Sequence, residues 1–225
     1  VLNEFDNRSW FNPSDNRSKI LLVGNSHSKD IYNVLINSTV ATTHFQMARY
    51  GIQIESLNEY LPAFYKSPNY LDSDIIIFAS LYRNDRDLDG LKVAVERSLL
   101  SGKIVVVIRN IFEWYFHNGK NIIDVILLQY RYDRAKFDDS TIPVIIDVIN
   151  NHYYSEYKSN NFRSNNRKET IKKSDKVINS LKGKFENLII LDRMDYICSH
   201  NTERCATIKH QLEKYFFDYG HHTLV

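Results

Sequence analysis

Apolar residues along this chain come in short runs, separated by stretches in which they recur at helical spacing. The runs 19–23, 43–47, 74–78, 104–108 and 188–191 have strand length, and most are dense in Ile, Val and Leu, as strands buried on both faces are. Between them, 29–36, 88–100, 122–130 and 169–181 predict helices; Ile31, Val34, Leu35 and Ile36 show the spacing. Strand and helix alternate, which predicts a parallel sheet with crossover helices and hence a doubly wound, three-layer α/β fold. In such a sheet ligands bind beyond the carboxyl ends of the strands. Ser26 and the stretches 80–84 and 109–114 fall there. Residues 1–18, with Asn3, Asn7, Asn12 and Asn16, read as an irregular lead-in or linker, and 19–225 as one catalytic domain. The polar stretch 151–168 has little apolar periodicity and is either a plain exposed excursion or a lid over the site.

The first apolar run ends at Gly24, which permits a sharp turn, and delivers Ser26 to the start of a helical stretch. Ser26, Ser28 or Asp30 would cap that helix. A serine so placed has its hydroxyl exposed at a strand's carboxyl end and its N–H at a helix N-terminus, where negative charge is favoured. At the other end of the chain, Asp218-Tyr219-Gly220-His221 sets a carboxylate three residues before an imidazole. On one turn entering a helix, Asp218 can accept the Nδ1 proton and leave Nε2 to take a proton from serine. The order Ser, Asp, His differs from those of chymotrypsin and subtilisin. Each residue has a plainer reading beside this one. Ser26 alone is a common helix start, His27 bonds backbone there, Asn84 caps the next helix, and Gly51 merely permits a turn; His222 is the other candidate base.

The blocks Val23-Gly24-Asn25-Ser26-His27-Ser28 and Asp218-Tyr219-Gly220-His221-His222-Thr223-Leu224 resemble those of the SGNH/GDSL hydrolase superfamily, in particular the SGNH domains associated with bacterial O-acyltransferases of surface polysaccharides. Ser80-Leu81-Tyr82-Arg83-Asn84-Asp85 stands where the family's third block lies, and Cys198 and Cys205 resemble the cysteine pair often seen shortly before the last block. The resemblance runs from Lys19 to the C-terminus and departs from the family at Asn25, where Asp is commoner. It implies the flavodoxin-like α/β/α fold and acyl transfer through an acyl-serine. Ser26 is then the nucleophile, His221 the base and Asp218 its orienting partner. The oxyanion hole would comprise the Ser26 and Gly51 N–H groups and the Asn84 amide. It further implies acetyl groups on carbohydrate, an acyl donor, no cofactor, and an integral-membrane acyltransferase domain as partner on the same or another chain. A periplasmic or otherwise extracytoplasmic location and a Cys198–Cys205 disulfide follow in the same way; the alternative for the cysteines is two buried thiols. Transferase and esterase share these motifs. A non-catalytic carbohydrate-binding domain is the competing class, with Phe112, Trp114, Tyr115 and Phe116 either stacking on sugars or filling the core.

Composition narrows the field further. With 225 residues, 43% of them hydrophobic, the chain can bury a sizeable core unaided. No apolar run approaches the roughly 20 residues of a membrane span, and no signal peptide opens the chain, which at Val1 reads as an excised domain or processed product. The net charge of +2 is spread and offers no nucleic-acid footprint; the basic stretch 163–173 is either a solvated face or a polyanion patch. Neither metal-ligand spacing nor a phosphate-binding glycine loop is present, so no metal is expected.

Overall fold

A computed structural model of the chain describes residues 10–59, 62–110, 116–117, 120–121, 141–159, 165–199 and 201–206. They divide between two compact units, one drawn from Val1–Asn110 and Thr170–Asp192, the other from Ile111–Glu169 and Arg193–Val225.

The first unit is built on strands β1 (Ser18–Gly24), β2 (Phe45–Gly51), β3 (Ile75–Phe78), β4 (Ile104–Ile108) and β5 (Ile189–Leu191). They form one five-stranded sheet in the order β2-β1-β3-β4-β5, and every pairing is parallel. This is the flavodoxin-like order. Helices α1 (Ser26–Ile36) and α2 (Thr39–His44) connect β1 to β2, three short helices (Ser56–Glu59, Pro62–Tyr65 and Pro68–Asp72) lead from β2 to β3, and α6 (Asp85–Leu100), the sixth among the described residues, connects β3 to β4. The sheet alternates strictly in what it buries. Leu21, Val23, Ile76, Phe78, Val105 and Val107 face one way and pack with Leu88, Leu91 and Val95 of α6 and with Ile178 and Leu181 of the helix Asn165–Lys184. Ile20, Leu22, Ile77, Ala79, Val106 and Ile108 face the other way, against Ile31, Tyr32 and Leu35 of α1. Period-two alternation with both faces apolar requires a layer on each side, which explains the unbroken apolar runs in the sequence. The expected mixed α/β architecture, an all-parallel sheet flanked by helices, is therefore present.

Boundaries differ from expectation in informative places. The second strand, expected over 43–47, runs over Phe45–Gly51. Ser38 caps α2 by accepting the Ala41 N–H at 3.3 Å, which takes Thr43 and His44 into that helix. Arg49 continues the strand because its charge finds partners inside. Much of 151–168, expected to be irregular, is helical: the helix Thr141–Ser159 reaches 159, and Asn165–Lys184 starts at 165. In the first half of the helix Thr141–Ser159, Ile146 and Ile149 are buried while Val144 and Val148 are exposed. The described part of the lead-in, from Trp10 on, is irregular but tied to the sheet. Phe11 is buried in the core, and the Gln46 amide bonds the backbone of Asn12, donating to its carbonyl at 3.2 Å and accepting its N–H. The expected helix 122–130 lies outside the described residues.

In the second unit two antiparallel hairpins are described, Phe116–His117 with Lys120–Asn121 and Cys198–Ser199 with Arg204–Cys205. Cys198 and Cys205 stand opposite each other across the second hairpin and are joined by a disulfide. Arg204 pairs with Asp147 of the helix Thr141–Ser159 at 3.0 Å, tying hairpin to helix. A disulfide of this kind persists in oxidising, extracytoplasmic compartments. Among the described residues no helix is long and apolar enough to cross a membrane.

Two glycines give opposite expectations. Gly24 has φ +146°, and a Cβ there would stand 2.0 Å from the Ala79 carbonyl oxygen. Gly183, within a helix, meets nothing within 4 Å. Gly24→Ala should lower the unfolding free energy by about 3 kcal/mol or more, whereas Gly183→Ala should raise it by up to about 1 kcal/mol, both read from urea midpoints. Thiol titration of denatured, unreduced protein should find no free Cys198 or Cys205, and reduction should lower stability by at most about 2.5 kcal/mol for so short a loop.

Candidate active site

Strand order reverses between β1 and β3, because α1 carries the chain from β1 to one side and α6 carries it from β3 to the other. At such a reversal the two connections diverge and leave a crevice beyond the carboxyl ends of the strands. Ser26 is the first residue of α1 and Asn84 caps α6, so these two flank the reversal point.

The turn that carries Ser26 is built from backbone and short polar side chains. Gly24, in register with Gly51 of β2, accepts the Ile52 N–H through its carbonyl at 3.0 Å. The chain then leaves the sheet where only a glycine fits beside Ala79. Asn25, and not Ser26, Ser28 or Asp30, caps α1: its Oδ1 accepts the His27 N–H at 3.2 Å and also the Leu81 N–H at 3.4 Å. One side chain thereby joins the turn after β1 to the segment after β3. Asn wins the cap by position, since it is the last extended residue before the helix. Ser26, released from capping, sits half-buried between buried Asn25 and His27.

The neighbouring serine has a different fate. Ser28 is fully buried, and its Oγ donates toward the Gly24 and Asn25 carbonyls at 3.0 and 2.7 Å while accepting from Arg49 Nε at 3.0 Å. A hydroxyl so occupied and enclosed is not a nucleophile for an external acyl group. His27 lies buried at the helix start, and its backbone N–H is the one the Asn25 cap accepts.

On the β3 side, Asn84 Oδ1 accepts the Asp87 N–H at 3.0 Å, and the Asp87 carboxylate accepts the Arg83 N–H at 2.8 Å. The Asn84 oxygen is thus committed to the helix end, while its Nδ2 group has no partner among the described residues and is exposed. Buried Asn110, just past β4, holds this segment to the sheet: its Oδ1 accepts the Tyr82 N–H at 2.9 Å, and its Nδ2 donates to the Tyr82 carbonyl at 3.0 Å and to Ser174 Oγ at 3.1 Å. Gly51 closes β2 and is buried. Since Ile52 is the residue whose N–H points to β1, the Gly51 N–H belongs to the opposite side of β2.

Asp218, His221 and His222 lie outside the described residues, as do Phe112, Trp114 and Tyr115. Among the described residues no group of three or more His, Cys, Asp or Glu is arranged to hold a metal. The contributors that sequence reasoning passed over are Asn25, Asn110 and Arg49. Asn25 was legible as a capping residue directly before the helix, and Asn110 as a polar residue directly after a buried strand. Arg49 gave no local signal, because a strand arginine reads as solvent-facing until its partners are seen. Searched against protein-family models and curated protein sequences, the chain matches none.

The cap supplies a test of this turn. Asn25→Ala should cost about 1 kcal/mol of stability by removing a helix cap, and more through the partly buried Leu81 N–H left without its acceptor, whereas Asn25→Asp should keep the cap; thermal unfolding of both variants reads the difference.

Proposed function

We propose that the protein is a serine-dependent acyltransferase, an O-acetyltransferase acting on a bacterial cell-surface polysaccharide through an acyl-serine at Ser26. The observation that carries this reading is the division of labour in the turn after β1. Asn25 caps the helix and Ser28 is locked inside, which leaves Ser26, half-buried at the carboxyl end of a central strand and at the first position of a helix, as the hydroxyl suited to attack. The blocks around Ser26 and at 218–224 support the family assignment, and the parallel sheet in flavodoxin-like order is the scaffold that family would need.

In this mechanism the Ser26 Oγ attacks the ester carbonyl as His221 Nε2 takes its proton, with Asp218 holding the imidazole in the required tautomer. The carbonyl π pair moves onto oxygen. The Ser26 N–H at the helix start and the Asn84 amide, whose oxygen already serves the cap, are the donors assigned to that oxyanion. Collapse expels the donor's alkoxide, which receives the proton from His221. A sugar hydroxyl, deprotonated in turn by His221, attacks the acyl-serine and carries away the acyl group as the Ser26 Oγ leaves and regains its proton from His221. Water in place of the sugar gives an acetyl esterase. The disulfide-closed hairpin suits a periplasmic domain serving a membrane-embedded acyltransferase partner, on this chain or another, that supplies the acyl donor.

Ser26→Ala and His221→Ala should each reduce hydrolysis of p-nitrophenyl acetate by at least about a thousandfold with unchanged circular dichroism, and Asp218→Asn should retain a small residual rate. A fluorophosphonate should add its mass to Ser26 and to no other serine. Full activity in Ser26→Ala overturns the reading. With an acyl donor and polysaccharide both present, mass spectrometry should find acetyl groups on the glycan; release of free acetate alone would assign the esterase.

A further inference from the structure

Arg49 stands on β2, at the edge of the sheet, yet only 2% of it is exposed. Burying a guanidinium is costly unless its donors are met. Burial pulls its pKa below the ordinary arginine value, and the Asp30 carboxylate of α1 opposes that shift. Its Nε donates to Ser28 Oγ at 3.0 Å, and one of its terminal nitrogens donates to the Asn25 carbonyl at 3.1 Å. These acceptors bracket Ser26, one immediately before it and the other two residues after it. Ser28 Oγ passes the restraint on through its own bonds to the Gly24 and Asn25 carbonyls.

We infer that Arg49 is a positioning residue for Ser26: reaching from the neighbouring strand, its guanidinium clamps the turn 25–28 from both sides of the nucleophile and fixes the direction of the Ser26 hydroxyl and N–H. The inference rests on the reading of Ser26 as nucleophile. The role assigned to Arg49 is exerted through Ser28 Oγ and the Asn25 carbonyl, the two acceptors on either side of Ser26. Its planar fork spans acceptors on separate residues at once, which a lysine ammonium at the end of a flexible stem does less well. A hydrophobic isostere would fill the volume but take away the donor to Ser28 Oγ and leave the Asn25 carbonyl tied only to Ser28, so packing alone does not account for an arginine here.

The test compares Arg49→Met and Arg49→Lys with the wild type and Ser26→Ala in the full chain. Circular dichroism and the thermal transition report folding, and amide hydrogen exchange reports the peptide 24–30. The kcat and KM for p-nitrophenyl acetate and the rate of Ser26 labelling by a fluorophosphonate report the nucleophile. Folded Arg49→Met should exchange about tenfold faster in the turn and lose about a hundredfold in kcat and in labelling rate with KM within about twofold. Arg49→Lys should recover part of each. A folded Arg49→Met with wild-type exchange in the turn and wild-type kcat overturns the inference. Should Arg49→Met fail to fold, Arg49→Lys carries the same criteria. Equal hydrolysis by wild type and Ser26→Ala would instead reject the nucleophile assignment, and the exchange of peptide 24–30 then decides alone whether Arg49 holds the turn.

Discussion

The architecture of the first unit depends on a contact with no side chain in it, the approach of the Gly24 backbone to the Ala79 carbonyl. β1 and β3 are central strands and pair in parallel up to Val23 and Phe78. One residue later their paths must part, because each leads to a helix on a different side of the reversal point. At Gly24 the chain adopts φ +146° with Ala79 O where a Cβ would be. Any larger residue would force the strand ends apart and widen the place where Asn25 now joins them. The tight turn, the cap and the position of Ser26 all follow from that clearance.

Polar groups then hold what the glycine makes room for. Asn25, Arg49, Asn110 and Asp87 are all buried, and each serves backbone N–H or carbonyl groups at the carboxyl ends of the strands. In low-dielectric surroundings such bonds are strong, and leaving one unmade is expensive. The apolar faces of the sheet specify the layers, whereas this network specifies where individual loops stand. An enzyme of the proposed kind needs the second more than the first, since a misplacement of about 1 Å in a nucleophile can cost two orders of magnitude in rate.

The second unit applies a different restraint. Its disulfide-bearing hairpin is too short for a ladder to hold it, pairing Cys198 with Cys205 and Ser199 with Arg204. A covalent bond and the Arg204–Asp147 ion pair hold it instead. An exposed ion pair contributes little on its own, typically about 0–1 kcal/mol, so the disulfide contributes more.

The amino-acid sequence by itself determined the layers, because a central parallel strand covered on both faces is apolar nearly throughout and its helices repeat at 3.6 residues. It also marked the turn at Gly24 and singled out Ser26 and the 218–221 block as candidates, since the proposed chemistry demands particular residue types at particular spacings. The pairing of Cys198 with Cys205 was legible through family likeness. Only the tertiary structure decided that the Asn25 cap also holds the segment after β3, that Ser28 is fully buried while Ser26 is half-buried, and that Arg49 turns inward. Those outcomes depend on partners 21 to 56 residues away, as in Arg49 with Ser28 and Asn25 with Leu81. Local pattern carries no information about such partners, because hydrogen bonds across strands are set by register and not by neighbours in the chain.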